Sequence, residues 1–143
     1  MDALHPTDAQ IKAFLAHPAS TGPVYMLNLL KFKERAEYEA GTPGADEDIP
    51  GSEAYRRYAA AFGEMLRELD VKGVETVFGG KANAVLIGDI DTSPWDAVAL
   101  VRYPDAQTMF TTVSSDAYRS IHFHRKAGLD GQLLISCDDT GVF

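Results

Sequence analysis

The sequence has little positive charge, almost no cysteine and no long apolar run, and each shortage excludes a class of protein. Lys and Arg number 13 against 21 Asp and Glu, which leaves a formal net charge of −8 at pH 7. Nucleic acids and anionic membrane surfaces bind through dense basic patches, so neither is an expected partner. Cys137 is the single cysteine, so no intramolecular disulfide can form.

The N-terminal residues lack the basic and then apolar stretch of a signal peptide, and no apolar run approaches the ~20 residues of a membrane span. We therefore expect a cytoplasmic protein. The 143 residues, of which 45% are hydrophobic and 24% charged, have the size and composition of one soluble globular domain over residues 1–143. A chain of this length buries enough apolar surface to fold without a metal or a disulfide.

Hydrophobic periodicity and capping residues predict an order of helices and strands. Thr7 is a candidate N-cap for an opening helix that ends at Ala16, and the apolar run Val24–Phe32 has the length of a buried strand. A long amphipathic helix follows, with Ser52 as its cap and Gly73 after its end. The remaining predictions are a strand in two parts around Gly79-Gly80 (residues 74–78 and 82–88), a strand at 95–103, a helix opened by Asp105, a helix from Ser114-Ser115 to about Gly128, and a strand at 132–136.

Residues 33–51 are acidic and rich in Gly and Pro, which predicts a long solvated loop with at most a helical turn near residues 34–39. Its composition is typical of a disordered acidic insertion. The alternative is a functional loop, because long loops inside small domains often carry function.

This order is the ferredoxin-like βαββαβ pattern, preceded by one short helix. The predicted fold is α+β, with an antiparallel sheet that carries both main helices on one face. A sheet with one wet face shows alternating apolar and polar residues. The first strand instead has Leu27 and Leu29 on one side and Met26 and Leu30 on the other, and residues 84–87, 97–101 and 133–135 are equally apolar on both sides.

Helices on one side leave the other face of such a sheet as an apolar patch larger than monomers usually expose. We therefore expect a homodimer that forms through the sheet face. The alternative is that the opening helix and the acidic loop cover this face.

Several segments resemble domain-of-unknown-function family 1330. They are MLNLLKF at 26–32, GSEAYRRY at 51–58, Gly79-Gly80, WDAVALVRYP at 95–104 and SDAYRSIHFHRKAGL at 115–129. The family is part of the dimeric α+β barrel superfamily, so the resemblance implies a ferredoxin-like subunit that pairs through its sheet. It implies no reaction, because superfamily relatives include cofactor-free monooxygenases, isomerases, dehydratases and haem enzymes.

Two residues of the last predicted helix are candidates for catalysis. Arg125 falls on the face that should pack on the sheet, where an unpaired arginine is rare. It either presents its planar guanidinium to a substrate carboxylate or enolate, or it lies near the helix C-terminus and snorkels outward or pairs with an acidic residue. His122 lies three residues earlier, and a neutral imidazole beside a cation suits a general base. The alternative is a histidine at the edge of the core that bonds the backbone.

Further polar and aromatic residues are candidates for substrate binding. Asn28 places an amide inside an otherwise apolar strand, where it faces either a ligand or a neighbouring strand. Aromatic residues on the inward helix faces and at both ends of the strand at 95–103 are candidate walls for a flat ligand, although ordinary core packing also explains them. These residues are Tyr55, Tyr58, Trp95, Tyr103 and Tyr118.

The sequence predicts no metal site and no cofactor. His122 and His124 are two residues apart, and side chains with this spacing on a helix do not face each other. No P-loop, dinucleotide-binding or Ser-His-Asp motif is present. The expected function is a small-molecule pocket with monooxygenase-like or isomerase-like acid/base chemistry on a small enolisable or anionic compound. The alternative is a non-catalytic homodimer that binds a metabolite or is purely structural.

Overall fold

The structure is a computed structural model that describes residues 4–89 and 95–143. Its helices are α1 (Asp8–Ala16), α2 (Gly51–Glu68), α3 (Ala106–Val113), α4 (Asp116–Arg119) and α5 (His122–Gly128), with a 3₁₀ turn at Pro18–Thr21. Its strands are β1 (Val24–Phe32), β2 (Glu75–Lys81), β3 (Ala97–Tyr103) and β4 (Leu129–Cys137). Among the helices of this described part, none has the length and apolarity to cross a membrane.

The strands form one antiparallel sheet in the order β2-β3-β1-β4. Asn28 stands opposite Ala99 of β3 and Leu134 of β4, and Leu30 stands opposite Gln132. Residues that are directly opposite in antiparallel strands share a face. The register therefore gives the sheet a front face that contains Asn28 and Gln132, and a back face that contains the alternate residues.

The front face packs against the helices. Val24, Met26 and Tyr103 of this face form a buried cluster with Ala106 at the start of α3. Tyr103 is only 5% exposed and Met26 only 4%. The core therefore lies between the front face and the helices, which is the arrangement that the sequence predicts.

The back face is apolar and is not covered within the described chain. Its large side chains Phe78, Leu133 and Ile135 are 58%, 38% and 41% exposed. The register places these residues beside Leu27, Leu29, Val98 and Leu100. The predicted two-sided apolar sheet is confirmed.

The opening helix and the acidic loop do not cover the back face, so this alternative is wrong. Helix α1 packs on α3, and its Ile11 lines a cavity with Met26 of the front face. The loop of residues 33–50 lies against the end of α5, where the Lys33 amide donates to the Gly128 carbonyl at 2.8 Å and the Glu37 amide to the Ala127 carbonyl at 2.9 Å.

The same backbone hydrogen bonds show that the acidic segment is an ordered loop rather than a disordered insertion. The Ala36 amide donates to the Ile49 carbonyl at 2.8 Å and joins the two ends of the loop. Lys126 bonds Glu39 at 2.8 Å and Arg57 bonds Glu47 at 2.7 Å. The turn near residues 34–39 is not helical, because these backbone groups bond to α5 and to the far side of the loop.

Two close approaches fix α2 against α5. A Cβ atom at Gly51 would lie 2.6 Å from the Gly128 carbonyl oxygen and 2.8 Å from the Lys33 amide nitrogen. A Cβ atom at Gly128 would lie 2.9 Å from the Tyr55 amide nitrogen. Only glycine fits at either position, because the contacted atoms belong to backbone and cannot rotate away.

Thr7, Asp105 and Ser115 cap their helices as predicted, with side chains that accept from Gln10, Thr108 and Tyr118 amides. Ser52 does not cap α2. The N-cap is Pro50, which makes no side-chain cap bond. The helix therefore begins at Gly51, two residues earlier than a Ser52 cap predicts, and Gly51 fits the close contact with Gly128.

The predicted strand at 82–88 is wrong. Lys81 pairs with Ala97, the first residue of β3, so the residues beyond Lys81 have no strand partner. The irregularity in β2 lies between Thr76 and Phe78 rather than at Gly79-Gly80, and β3 begins at Ala97 rather than at residue 95. The apolar composition of residues 82–88 cannot show where β2 ends, because the end of β2 depends on where its partner strand β3 begins.

The predicted single helix up to Gly128 is divided into α4 and α5. The Ser120 hydroxyl donates to the Ala117 carbonyl at 2.6 Å, and the Ile121 amide bonds the Tyr118 carbonyl three residues back. Serine side chains compete with helical hydrogen bonds in this way. The last strand is longer than residues 132–136 and starts at Leu129, directly after α5.

Candidate functional site

A cleft of about 900 Å³ lies between the front face of the sheet and helices α2, α4 and α5. The fold brings seven of the eight predicted site residues to its walls. They are Asn28 from β1, Tyr55 and Tyr58 from α2, Tyr103 from β3, Tyr118 from α4, and His122 and Arg125 from α5.

Trp95 is the predicted site residue that does not line this cleft within the described chain. It precedes β3 by two residues, at the strand end opposite to Tyr103. Eight residues of extended chain separate the two aromatic side chains, which corresponds to about 26 Å. The cleft of the described chain therefore has Tyr103 in its wall and not Trp95.

A chain of hydrogen bonds crosses the floor of the cleft from α5 to the centre of the sheet. The Arg125 guanidinium donates through Nη1 to Nε2 of His122 at 3.3 Å and through Nη2 to Oε1 of Gln132. Nε2 of Gln132 donates to Oδ1 of Asn28 at 2.7 Å. Nδ2 of Asn28 then donates to the carbonyl oxygens of Met26 at 3.0 Å and Ala99 at 3.3 Å. We call these four side chains the polar chain.

The polar chain distinguishes between the two roles that the sequence allows for Asn28, contact with a ligand and contact with a neighbouring strand. Both ends of its amide have protein partners, so the side chain positions Gln132 and also bonds the neighbouring strand, which was the structural alternative. It lines the cleft, but its hydrogen-bonding groups are engaged.

Sequence reasoning missed Gln132, which is 9% exposed and joins Arg125 to Asn28. In the sequence, Gln132 could have been noticed as a single amide side chain next to Leu133 and Leu134 in the final strand. The same argument from the cost of buried amides that selected Asn28 applies to it. Only the register shows that both amides share the front face.

Arg125 has no acidic partner within ion-pair distance among the described residues. Its two contacts are a neutral amide and an imidazole, so none of the described residues neutralises its charge. The alternative of an ion pair near the helix end is not formed within the part of the chain that the structure describes. A half-buried guanidinium in an apolar cleft attracts an anionic group, since its planar fork matches carboxylate geometry.

Four tyrosines line the cleft. The hydroxyls of Tyr58 and Tyr118 bond each other at 3.1 Å, and the ring of Tyr55 packs on that of Tyr58 with centroids 5.3 Å apart. Burial raises the pKa of Tyr55 to about 12, against an opposing effect of Arg125, and also raises the pKa of Tyr58 and Tyr103. All three phenols therefore stay protonated at neutral pH and act as hydrogen-bond donors.

His122 is a neutral imidazole at neutral pH. Burial, and then the positive charges of Arg125, His5 and Lys126 in that order of effect, together lower its pKa to about 4. Because a guanidinium has no acceptor, Nε2 of His122 accepts and the proton of the neutral ring resides on Nδ1. The ring lies 5.6 Å from that of Tyr118 and 5.2 Å from that of His5.

This lowered pKa predicts a loss of stability in acid. In the unfolded chain a histidine titrates near its ordinary value of 6.5, so below that pH the unfolded state binds a proton that the folded state refuses. We expect the free energy of unfolding to fall as the pH drops from 6.5 to 4. After discounting for partial exposure, His122 contributes about 1–2 kcal/mol of this fall.

Denaturant titrations at pH 7 and pH 4.5 measure this effect. His122→Gln has no proton to gain and should lose less stability between the two pH values than the unsubstituted chain. Equal acid losses in the two proteins would contradict the assignment of a buried neutral imidazole.

His124 is separate from this site. Its Nδ1 atom lies 2.7 Å from the Tyr38 hydroxyl, and its ring contacts Phe123 rather than the cleft. His122 and His124 therefore face different neighbours, as their spacing on a helix predicts. Across residues 4–89 and 95–143 no group of three or more His, Cys, Asp or Glu side chains is arranged to hold a metal ion.

The chain is similar along nearly its whole length to the RPA0582 protein of Rhodopseudomonas palustris, a protein of unknown function. Two crystal structures of RPA0582, one of them of the methylated protein, have TM-scores of 0.81 and 0.79. The sequences are 29% and 28% identical, and the alignments cover 99% of this chain and 98% and 99% of the other.

More distant structural relatives identify the architecture. A dimeric protein of unknown function and ferredoxin-like fold from Bacteroides fragilis has a TM-score of 0.50 at 8% identity, over 82% of this chain and 96% of its own. The fold is ferredoxin-like. A dimeric ferredoxin-like protein of unknown function from a Jannaschia species has a TM-score of 0.51 at 14% identity, over 82% of this chain and 99% of that one.

These relatives share the ferredoxin-like fold of this chain. No protein-family model matches the sequence, and no curated protein matches it either.

Proposed function

We propose that this ferredoxin-like protein binds a small molecule in the cleft and performs cofactor-independent acid/base chemistry on an enolisable or anionic compound. The observation that supports this is Arg125, a cation without an acidic partner among the described residues, beside the neutral imidazole of His122. Isomerase-like and monooxygenase-like reactions both begin with removal of a proton next to a carbonyl group. We also propose that the chain is related to domain-of-unknown-function family 1330.

The residues divide the chemistry between them. On ligand binding, the Nη1 donor of Arg125 moves from Nε2 of His122 to the carbonyl oxygen of the ligand and frees the Nε2 lone pair. Nε2 then takes the proton from the adjacent ligand carbon, and the electron pair of the broken C–H bond moves to the carbonyl oxygen. Arg125 stabilises the resulting enolate charge, because a fixed cation in a poorly hydrated site is worth more than in water. The tyrosine rings enclose the ligand and their protonated hydroxyls donate to its oxygens.

We also propose that two copies pair through the back faces of their sheets. The exposed Phe78, Leu133 and Ile135 support this arrangement. Apolar patches of this kind on soluble proteins mark interaction surfaces. The relatives from Bacteroides fragilis and Jannaschia are described as dimeric, which agrees with a second copy as the occupant.

Hydrogen–deuterium exchange into a panel of small 2-oxo and 3-oxo acids tests the chemistry. In heavy water, we expect the protein to accelerate exchange at the carbon next to the carbonyl of at least one acid. His122→Gln should reduce this rate by about 10²–10⁴-fold, the usual contribution of a general base. NMR loss of the carbon-bound proton signal measures the rate.

His124→Gln is the matched control, since it removes the neighbouring histidine of the same helix outside the cleft. Its exchange rate should stay within a few fold of the unsubstituted protein. If ligands bind but none exchanges faster, the non-catalytic metabolite-binding alternative replaces the enzyme. If His122→Ala and Arg125→Ala each cost several kcal/mol of unfolding free energy, both residues are structural.

A further inference from the structure

A second cavity of about 740 Å³ adjoins the cleft at the polar chain. Arg125 and Gln132 line both spaces, and so do residues 4–6 ahead of α1. The guanidinium therefore stands at the junction of the two spaces. We call the second space the α1–α3 chamber, because these two helices supply much of its wall.

Apolar side chains of α1 and α3 form much of the chamber wall, and its polar lining includes Arg125, Gln132, His17 and Ser136. Ile11 and Phe14 of α1 face Met109, Phe110 and Val113 of α3 across it. The other charged side chain that lines it in the described chain is Asp138, beyond the end of β4, where the Thr140 amide bonds its carboxylate at 2.9 Å. An apolar space with one cation at its inner end matches a ligand with one anionic end.

The Arg125 guanidinium keeps N–H donors that are available to such a ligand. Arginine has five N–H groups, and the described chain supplies partners at Nη1 and Nη2, His122 and Gln132. The remaining N–H groups have no partner among the described residues. A carboxylate accepts two parallel hydrogen bonds from a guanidinium, whereas an alcohol or an amide does not.

Tyr103 is an independent sign that the site is built for a ligand. Its side chain is 5% exposed and lines the cleft, yet its hydroxyl has no hydrogen-bond partner in the described chain. No enclosed side-chain oxygen or nitrogen of the described residues lacks a partner, so this hydroxyl borders open space in the cleft. A largely buried phenol without a partner among the described residues is available to a ligand oxygen or to water.

We propose that the ligand is an amphipathic monocarboxylic acid, with its carboxylate on Arg125 and its apolar body in the α1–α3 chamber. This inference rests on the proposed small-molecule function and names its ligand class. The carboxylate lies beside His122, and the apolar body displaces water from the side chains of α1 and α3. A ligand of this shape accounts for the position of Arg125 where the chamber meets the cleft.

Calorimetric titration with straight-chain acids and the matched primary alcohols tests this ligand class. We expect the dissociation constants of hexanoate, octanoate and decanoate to fall about fourfold for each added methylene, from the transfer free energy of a buried CH₂. Each alcohol should bind at least tenfold more weakly than the acid of equal length. Arg125→Gln should remove that difference between acid and alcohol.

Two further variants make the result specific. Arg119→Gln removes an exposed arginine that pairs with Asp116 outside the cleft, and it should leave all dissociation constants unchanged. Val113→Phe keeps the guanidinium but fills part of the chamber, so it should weaken decanoate more than hexanoate. This second readout holds even if Arg125→Gln unfolds the protein.

Each contrary outcome has a distinct meaning. Equal affinity for acids and alcohols, unchanged in Arg125→Gln, would overturn the carboxylate assignment and leave a small-molecule cleft. No binding of either series at millimolar concentration would overturn the ligand class and the use of the chamber. Because the titration needs no turnover, a failed exchange experiment at His122 leaves these results unaffected.

Discussion

A glutamate in place of Leu100 is expected to convert a dimer of this protein into monomers. Leu100 stands opposite Leu27 of β1 and Phe78 of β2, so it lies in the middle of the back face. In a twofold dimer each substitution acts twice, because both copies present the same surface. Burying two carboxylates without partners costs several kcal/mol each, which exceeds what a patch of this kind gains on association.

Light scattering coupled to gel filtration measures the mass in solution at micromolar concentration. Leu69→Glu is the matched control, because Leu69 is a 43% exposed leucine at the end of α2 and not part of the sheet. It should leave the dimer intact. A monomeric unsubstituted protein, or a dimeric Leu100→Glu variant, would remove the back face as the contact between copies.

Gly128→Ala is expected to destabilise the protein by about 3 kcal/mol, the upper part of the range for overpacked sites. The added methyl group would lie 2.9 Å from the Tyr55 amide nitrogen and 3.2 Å from the Ala54 side chain. Relief requires α5 to move away from α2. That movement would carry Arg125 and His122 out of register with Gln132, so ligand affinity should fall together with stability.

Gly63→Ala is the control for this substitution. Gly63 lies within α2, and no atom outside its own helical backbone is within 4 Å of the place that an added methyl group would take. Alanine there should stabilise the helix by about 0.5–1 kcal/mol. Denaturant unfolding at one fixed protein concentration measures both variants, since a dimer's stability depends on concentration. Equal effects at the two glycines would contradict the tight contact between α2 and α5.

The fold was largely predictable because its signals are local and repeated. The Thr7, Asp105 and Ser115 caps and the apolar run of β1 each determine one element within a few residues. The end of β2 was not predictable, since the length of its partner β3 determines it. The division of α4 from α5 depends on one serine hydroxyl that competes with the helix.

The residues of the site were easier to predict than the hydrogen bonds between them. A charged or amide side chain in an apolar pattern is visible in the sequence, and this argument found Arg125 and Asn28. The link through Gln132 was not visible, because it joins residues on two strands and a helix, 104 positions apart at the Asn28 contact. The prediction that Trp95 and Tyr103 line one pocket shows a related limit. The two residues are close in sequence, but they lie at opposite ends of β3.

The short helix α5 connects the loop of residues 33–50 to the cleft. One side of α5 presents His122 and Arg125, and the other holds the loop through the bonds of His124 to Tyr38 and of Lys126 to Glu39. If ligand entry shifted this seven-residue helix, the hydrogen bonds of His124 and Lys126 to the loop would be strained or released. Tyr38, at the protein surface, is thus a natural place for a spectroscopic reporter of cleft occupancy.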